Sequence, residues 1–237
     1  MEGIERIIRL NKYIAKSGLY SRRQADSLVF NGAVSLNGVT VFDPSIKVKE
    51  NIDKVFVNDQ ALNCDKEIFI KFYKPINVLS SYVSQGDKKN LGFYKPFDKM
   101  RLAYAGRLDY KSEGLMLFCN CGDIINRLLL PINNIEREYI VYVDRALNNN
   151  EINKLREGII FKDITYRGAL VYKIGNLKYR VIIKEGKKRE VRNMFKYFNV
   201  NVKKLIRIRF GEIKLGSLLP GKFKFLDNKE VNFLKNV

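Results

Sequence analysis

Histidine is absent from this chain of 237 residues, which excludes Ser-His and Cys-His nucleophile activation and the common histidine-containing metal sites. Any acid-base work falls to carboxylates, Tyr, Lys or water. Cysteine is scarce: Cys64, Cys119 and Cys121 are odd in number and lack C-x-x-C spacing, so neither a disulfide framework nor a zinc site fits, and a cytoplasmic location is expected. Cys119 and Cys121 would share a face of an extended segment, where packing is the simpler role. No apolar run approaches the roughly 20 residues of a membrane span, and residues 1–8 lack a signal-peptide core. What remains is enough chain for one large domain, or a main domain with a small one, burying roughly 70% of its unfolded surface.

Acidic residues are also few. Against 44 Lys and Arg stand 25 Asp and Glu, a formal net charge of +19, and a field of that size favours a polyanion. Its distribution is more informative than its total. Residues 171–225 hold sixteen cations against Glu185, Glu190 and Glu212, and residues 6–23 hold six cations and no acid. Two separate basic zones are harder to ascribe to genome composition than a uniform excess.

Residues 9–17 carry Leu10, Tyr13 and Ile14 at helical spacing and run into Gly18. Ser21 and Gln24 form a capping box for a second helix that ends at Asn31-Gly32. Val34-Ser35-Leu36, Asn37-Gly38 and Val39-Thr40-Val41 read as a hairpin. With the apolar stripes packed together, Arg9, Lys12, Lys16, Arg22 and Arg23 are left on or near the outer faces.

Residues 42–62 read as mixed strand and turn, and residues 63–67 as a linker. Predicted strands then follow at 68–73, 102–105, 115–118, 138–143, 169–174, 178–183, 203–210 and 222–226. Helices are predicted from a cap at Asp123 to Pro131, from Asn148 to Leu155, and over 189–197. The class is α+β with a mixed sheet, divided as 1–62, a 63–67 linker and 68–237.

Within this pattern Ala105-Gly106-Arg107-Leu108-Asp109-Tyr110 puts one acid inside an apolar run. Desolvation penalises a carboxylate there unless a cation sits beside it, which marks a catalytic acid, a nucleophile or an ion-pair partner. A loop aspartate after a strand is the plain alternative. Gly186-Lys187-Lys188-Arg189-Glu190-Val191-Arg192 gathers cations at a strand-to-helix junction, where Lys187, Lys188 and Arg189 suit a phosphate. Arg189 and Arg192, three positions apart, would share a helix face, one serving a polyanion while the other reaches inward.

The N-terminal segments Arg9-Leu10-Asn11-Lys12-Tyr13-Ile14-Ala15, Ser21-Arg22-Arg23-Gln24-Ala25 and Val34-Ser35-Leu36-Asn37-Gly38 resemble the S4 RNA-binding domain over residues 8 to 57. That resemblance implies recognition of structured RNA through phosphates and shape. Lys74-Pro75 with Val78-Leu79-Ser80-Ser81, the blocks Gly106 to Tyr110 and Glu113-Gly114-Leu115, Arg137-Glu138-Tyr139, Gly186 to Met194, and Leu205-Ile206-Arg207-Ile208-Arg209-Phe210-Gly211 follow in order. Together they resemble the S4-domain-containing ribosomal RNA pseudouridine synthases of the RsuA and RluB type, over residues 8 to 226.

The resemblance implies that Asp109 is the catalytic aspartate, with Arg107 helping to open or hold the RNA. It implies that Tyr139 stacks on the target uracil and takes part in proton removal, that Arg192 pairs with the aspartate, and that Leu205 contacts the base from beneath. No metal and no cofactor are implied, and the partner is ribosomal RNA with a uridine flipped out. A monomer with no membrane contact is expected. Lys188-Arg189-Glu190-Val191-Arg192 leans toward the large-subunit enzymes, since the small-subunit ones tend to carry His-Gln. Cys119-Asn120-Cys121-Gly122-Asp123 departs from the usual Thr-Asn-Asp-Gly turn. The rival reading is a noncatalytic RNA-binding or ribosome-assembly factor, which would have no reason to assemble Asp109, Tyr139 and Arg192. A metal-dependent nuclease would need clustered carboxylates, and these motifs offer one central acid.

Overall fold

A computed structural model describes residues 6–64 and 66–237; Asp65, inside the expected linker, and residues 1–5 lie outside the described residues. The N-terminal unit comprises β1 (Ile7–Arg9), α1 (Leu10–Lys16), α2 (Arg22–Phe30), β2 (Val34–Leu36), β3 (Val39–Thr40), β4 (Lys47–Lys49), β5 (Val55–Val57) and β6 (Gln60–Ala61). Ser21 caps α2 reciprocally with Gln24, as the capping-box spacing requires. Leu10, Tyr13, Ile14, Ala25 and Val29 close its small core against Val34, Val48, Val55 and Val57. These elements carry the helix, helix, hairpin order that the S4 resemblance implies.

The larger unit comprises β7 (Phe69–Lys74), β8 (Ala103–Tyr104), β9 (Glu113–Cys119), α3 (Gly122–Leu129), β10 (Arg137–Val143), α4 (Asn149–Glu157), β11 (Gly158–Phe161), β12 (Ile164–Arg167), β13 (Leu170–Gly175), β14 (Lys178–Ile183), α5 (Glu190–Tyr197), β15 (Val202–Phe210), β16 (Ile213–Lys214), β17 (Phe223–Phe225) and α6 (Asn228–Asn236). Its main sheet runs β13-β14-β10-β15-β9-β7-β17, with β16 on β15 and β8 on β9. All named pairs are antiparallel except β15 with β9. Every residue of β9 is buried, because both faces of the sheet are covered. Phe72, Met116 and Phe118 pack on one face with Leu155 and Phe195, while Phe69, Leu115 and Leu117 pack on the other with Leu128 and Leu234. No described helix is long and apolar enough to cross a membrane.

Three details differ from the sequence expectation. α3 is capped at Cys121 rather than by Asp123, because the Asp123 carboxylate accepts from Lys12 Nζ at 2.7 Å instead. α5 begins at Glu190, since Arg189 sits in the left-handed region at φ 56° and outside the helix. The hairpin of β11 and β12 and the C-terminal α6 are additions.

The turn at Cys119-Asn120-Cys121-Gly122-Asp123 joins the two units. Asn120, 7% exposed, donates Nδ2 to Lys16 O at 2.7 Å and to Lys66 O at 2.7 Å while Oδ1 accepts from Ile68 N at 2.8 Å. Arg101 N donates to Gly18 O at 2.6 Å. Asn120→Ala would leave these partly buried backbone groups without their partner, and a loss of about 1–3 kcal/mol is expected, read as a lowered midpoint in urea unfolding.

Candidate active site

The loop that carries Asp109 is held from both sides. Ser80 Oγ donates to Leu108 O at 2.8 Å and accepts from Leu108 N at 3.1 Å. Asn77 N donates to Tyr110 O at 2.8 Å, and Ser112 N to Asp109 O at 2.9 Å. Lys74, wholly buried, donates Nζ to Pro75 O and Val78 O, both at 2.8 Å, and so shapes the segment that leads to Ser80. The Lys74-Pro75 and Ser80 block is thus the cradle of the Gly106-Arg107-Leu108-Asp109 loop.

Strand register brings the other motifs to the same place. Lys74 on β7 faces Gly114 on β9, Gly114 faces Arg207 on β15, and Arg207 faces Tyr139 on β10. Directly opposed residues share a face, so one transverse row holds these positions. Gly114 is required in it: its φ is +113°, and a Cβ there would lie 2.3 Å from Arg207 O. Tyr139 and Leu205, at 8% and 5% exposure, line a cleft of about 810 Å³ with Asp109, Arg107, Lys187, Lys188 and Arg189.

Arg192 does not pair with Asp109 at ion-pair distance. Its guanidinium donates to Lys111 O at 2.7 Å, Val202 O at 2.9 Å and Ser112 Oγ at 3.3 Å. It therefore braces the chain just after Asp109 rather than the carboxylate itself. Burial pulls the Arg192 pKa down while the Asp109 charge pushes it up, so the two remain electrostatically coupled without a direct contact. Burial pushes the Lys74 ammonium down to about 8, opposed by Asp109 and Glu113 and reinforced by Arg207.

Arg207 and Arg137 carry no assigned role in the sequence reading, yet both line the cleft and are 3% and 7% exposed. Arg207 Nε donates to Leu115 O at 2.7 Å, while its buried Nη2 has no partner. Arg137 Nη1 donates to Ile135 O, Lys184 O and Glu185 O at 2.9, 3.0 and 3.1 Å, fixing the end of β14 that leads into the Gly186 loop. The only available signal was position: both belong to quoted motifs, two residues from Tyr139 and from Leu205.

The remaining cations separate into two groups. In the N-terminal unit, Arg9, Arg22 and Arg23 are exposed, whereas Lys12 pairs with Asp123 at 2.7 Å and Lys16 with Glu50 at 2.9 Å. In the larger unit, Arg107, Lys188 and Arg189 are exposed, and Lys187 reaches Glu185 at 2.9 Å. A cleft lined by Asp109, Glu185 and Glu190 with Tyr139 among its aromatic rings, an apolar floor and exposed cations at its edge suits chemistry on a single base of a nucleic acid.

Comparisons with known proteins agree. A family profile described as RNA pseudouridylate synthase matches residues 68–197, and one described as S4 domain matches residues 8–51. An uncharacterized RNA pseudouridine synthase of Rickettsia typhi is 33% identical over 93% of this chain and 92% of its own. The dual-specificity RNA pseudouridine synthase RluF of Escherichia coli is 32% identical over 94% of this chain and 77% of its own. A crystal structure described as pseudouridylate synthase superimposes with a TM-score of 0.68 at 25% identity, covering 96% of this chain and 99% of the other.

Glu190, 4% exposed at the start of α5, accepts from Lys187 N at 2.9 Å. Burial, and more weakly Glu185, push its carboxyl up to about 7 against the opposing pull of that hydrogen bond, Lys187 and Arg137. The folded protein then holds this proton more tightly than the unfolded chain between pH 4.5 and about 7, so this group's contribution to stability falls as pH rises through that window. Relative to wild type, Glu190→Gln should gain up to about 3 kcal/mol between pH 4.5 and 8, measured by urea unfolding at each pH.

Proposed function

The chain belongs to the RNA pseudouridylate synthase family, and from that premise we propose that it isomerises uridine in ribosomal RNA, of the large subunit, with Asp109 as the catalytic group and no cofactor. The observation that carries this reading is the placement of Asp109 on a loop clamped by Ser80, in one cleft with Tyr139 and Leu205.

In this reaction the bond between ribose C1′ and uracil N1 breaks, the uracil turns, and C1′ bonds to C5. C5 gives up its proton and N1 gains one, so atoms balance and no electrons are exchanged. Asp109 serves as nucleophile or base at the sugar or the base. A stacked uridine cannot reach it, so the nucleotide flips out at a cost of a few kcal/mol. Stacking on Tyr139 would return roughly 1–3 kcal/mol of that. Leu205 closes the cleft beneath the ring, and Arg192 keeps the Asp109 turn in shape through Lys111 O and Ser112. Arg9, Arg22 and Arg23, with Arg107, Lys187, Lys188 and Arg189, supply phosphate contacts. The Lys188-Arg189-Glu190-Val191-Arg192 sequence supports the large-subunit assignment.

Incubating ribosomal RNA from cells lacking the protein with purified enzyme, then mapping pseudouridines, is expected to show modification at discrete uridines. Asp109→Asn should form no product while binding the same RNA as tightly; an active Asp109→Asn protein would overturn the assignment. RNA affinity should also fall about tenfold or more between 50 and 200 mM salt, as several phosphate contacts require, measured by filter binding.

A further inference from the structure

Ile132 is the most exposed large apolar side chain among the described residues, at 81%, and it continues a run with Leu129 at 41% and Leu130 at 51%. Contiguous exposed apolar side chains mark an interaction surface. This one is not loose. It occupies the end of α3 and the short turn Pro131–Asn133, closed by Asn134 in the left-handed region at φ 47°. Asn133 Nδ2 donates to Arg127 O at 2.7 Å, and Asn134 Nδ2 to Ile132 O at 3.0 Å. Arg127 Nη2 donates to Lys235 O at 3.0 Å, tying the turn to α6. The apolar side chains are held ready before any partner arrives, which reduces the entropy lost on binding.

Their location narrows the partner. Leu129 and Pro131 line the cleft that holds Asp109. Leu129 Cδ2 lies 3.6 Å from where a Cβ on Gly106 would stand, on the loop that carries Asp109. The same cleft is lined by Arg107, Lys187, Lys188 and Arg189. An acidic patch alone would satisfy those cations and leave the apolar edge unused. RNA supplies both phosphates and flat base faces.

We propose that Leu130 and Ile132 form a wedge that enters the base stack of the RNA beside the extruded uridine. The inference rests on the pseudouridine-synthase reading. Flipping a nucleotide breaks its stacking on both neighbours, and an apolar side chain in the vacancy restores part of that contact. The wedge makes and breaks no covalent bond. It acts on the equilibrium between stacked and extruded RNA, so its effect depends on whether the target begins stacked.

The test uses the full chain and two RNAs containing the uridine identified by the mapping above: its stem-loop, and a short strand unable to pair. Ile132→Ser should lower the ratio of kcat/KM on the stem-loop to that on the strand by about tenfold, the lower part of the range for one stacking contact. Ile132→Leu should restore it. Because Ile132 is 81% exposed, the substitution should leave the melting temperature unchanged, and that measurement accompanies the kinetics. An unchanged ratio overturns the wedge, including the case in which the patch binds a protein, while wild-type activity leaves the function reading standing. A wild-type protein that modifies neither RNA overturns both.

Discussion

Two residue pairs, Ile206 with Glu113 and Arg207 with Gly114, make the parallel contact between β15 and β9. Every other pairing in the main sheet joins strands on the same side of that seam. One half carries Lys74 and the Asp109 loop; the other carries Tyr139, Leu205 and Arg137. The site exists only because the halves meet, and they meet closely because Gly114 lacks a side chain where Arg207 O lies 2.3 Å from a Cβ position. A parallel junction this short has little backbone bonding of its own. Its alignment depends on the side chains packed across it, including Met116, Phe118, Tyr139 and Leu205.

Electrostatics at the seam run opposite to the simplest expectation for an acid set in an apolar run, which Asp109, half-buried, would otherwise follow. Asp109 has no guanidinium in ion-pair contact among the described residues. Cations surround it at greater range, with Lys74 buried behind its loop and Arg192 bonded to the carbonyl that follows it. A carboxylate in a direct buried pair would have to exchange that partner for substrate, at a cost of several kcal/mol. One held in a positive field keeps its oxygens available. The net charge of +19 serves the surface, while the arrangement inside is specific to a few side chains.

Local signals in the sequence were legible. Ser21 with Gln24 gives the reciprocal cap its spacing predicts, the helix expected from Asn148 begins there with Glu151 closing its cap, and Asn37-Gly38 turns the predicted hairpin. Asp227 with Glu230 carries the same cap signal for α6, a helix outside the sequence expectation. The turn at Lys162 and Asp163 has φ values of 51° and 60° without the Asn-Gly or Asp-Gly pair that usually marks such a turn, so its hairpin carries no strong local signal. The identity of the site motifs could be read from their order, but their mutual geometry could not. Lys74, Arg137 and Arg207 look like surface cations until register places them inside. Lys12 and Lys16 look like an open RNA face until Asp123 and Glu50, distant in sequence, are brought to them. Both cases concern long-range pairing, which no window of residues contains.

The bolt at Asn120 has a consequence for how a target is chosen. Because one buried amide ties Lys16 and Lys66 to the strand end that leads back to Asp109, the S4 domain is set at a fixed span from the acid. On the reading proposed above, the molecule would work as a ruler, its S4 domain holding RNA at one end and Asp109 acting at the other.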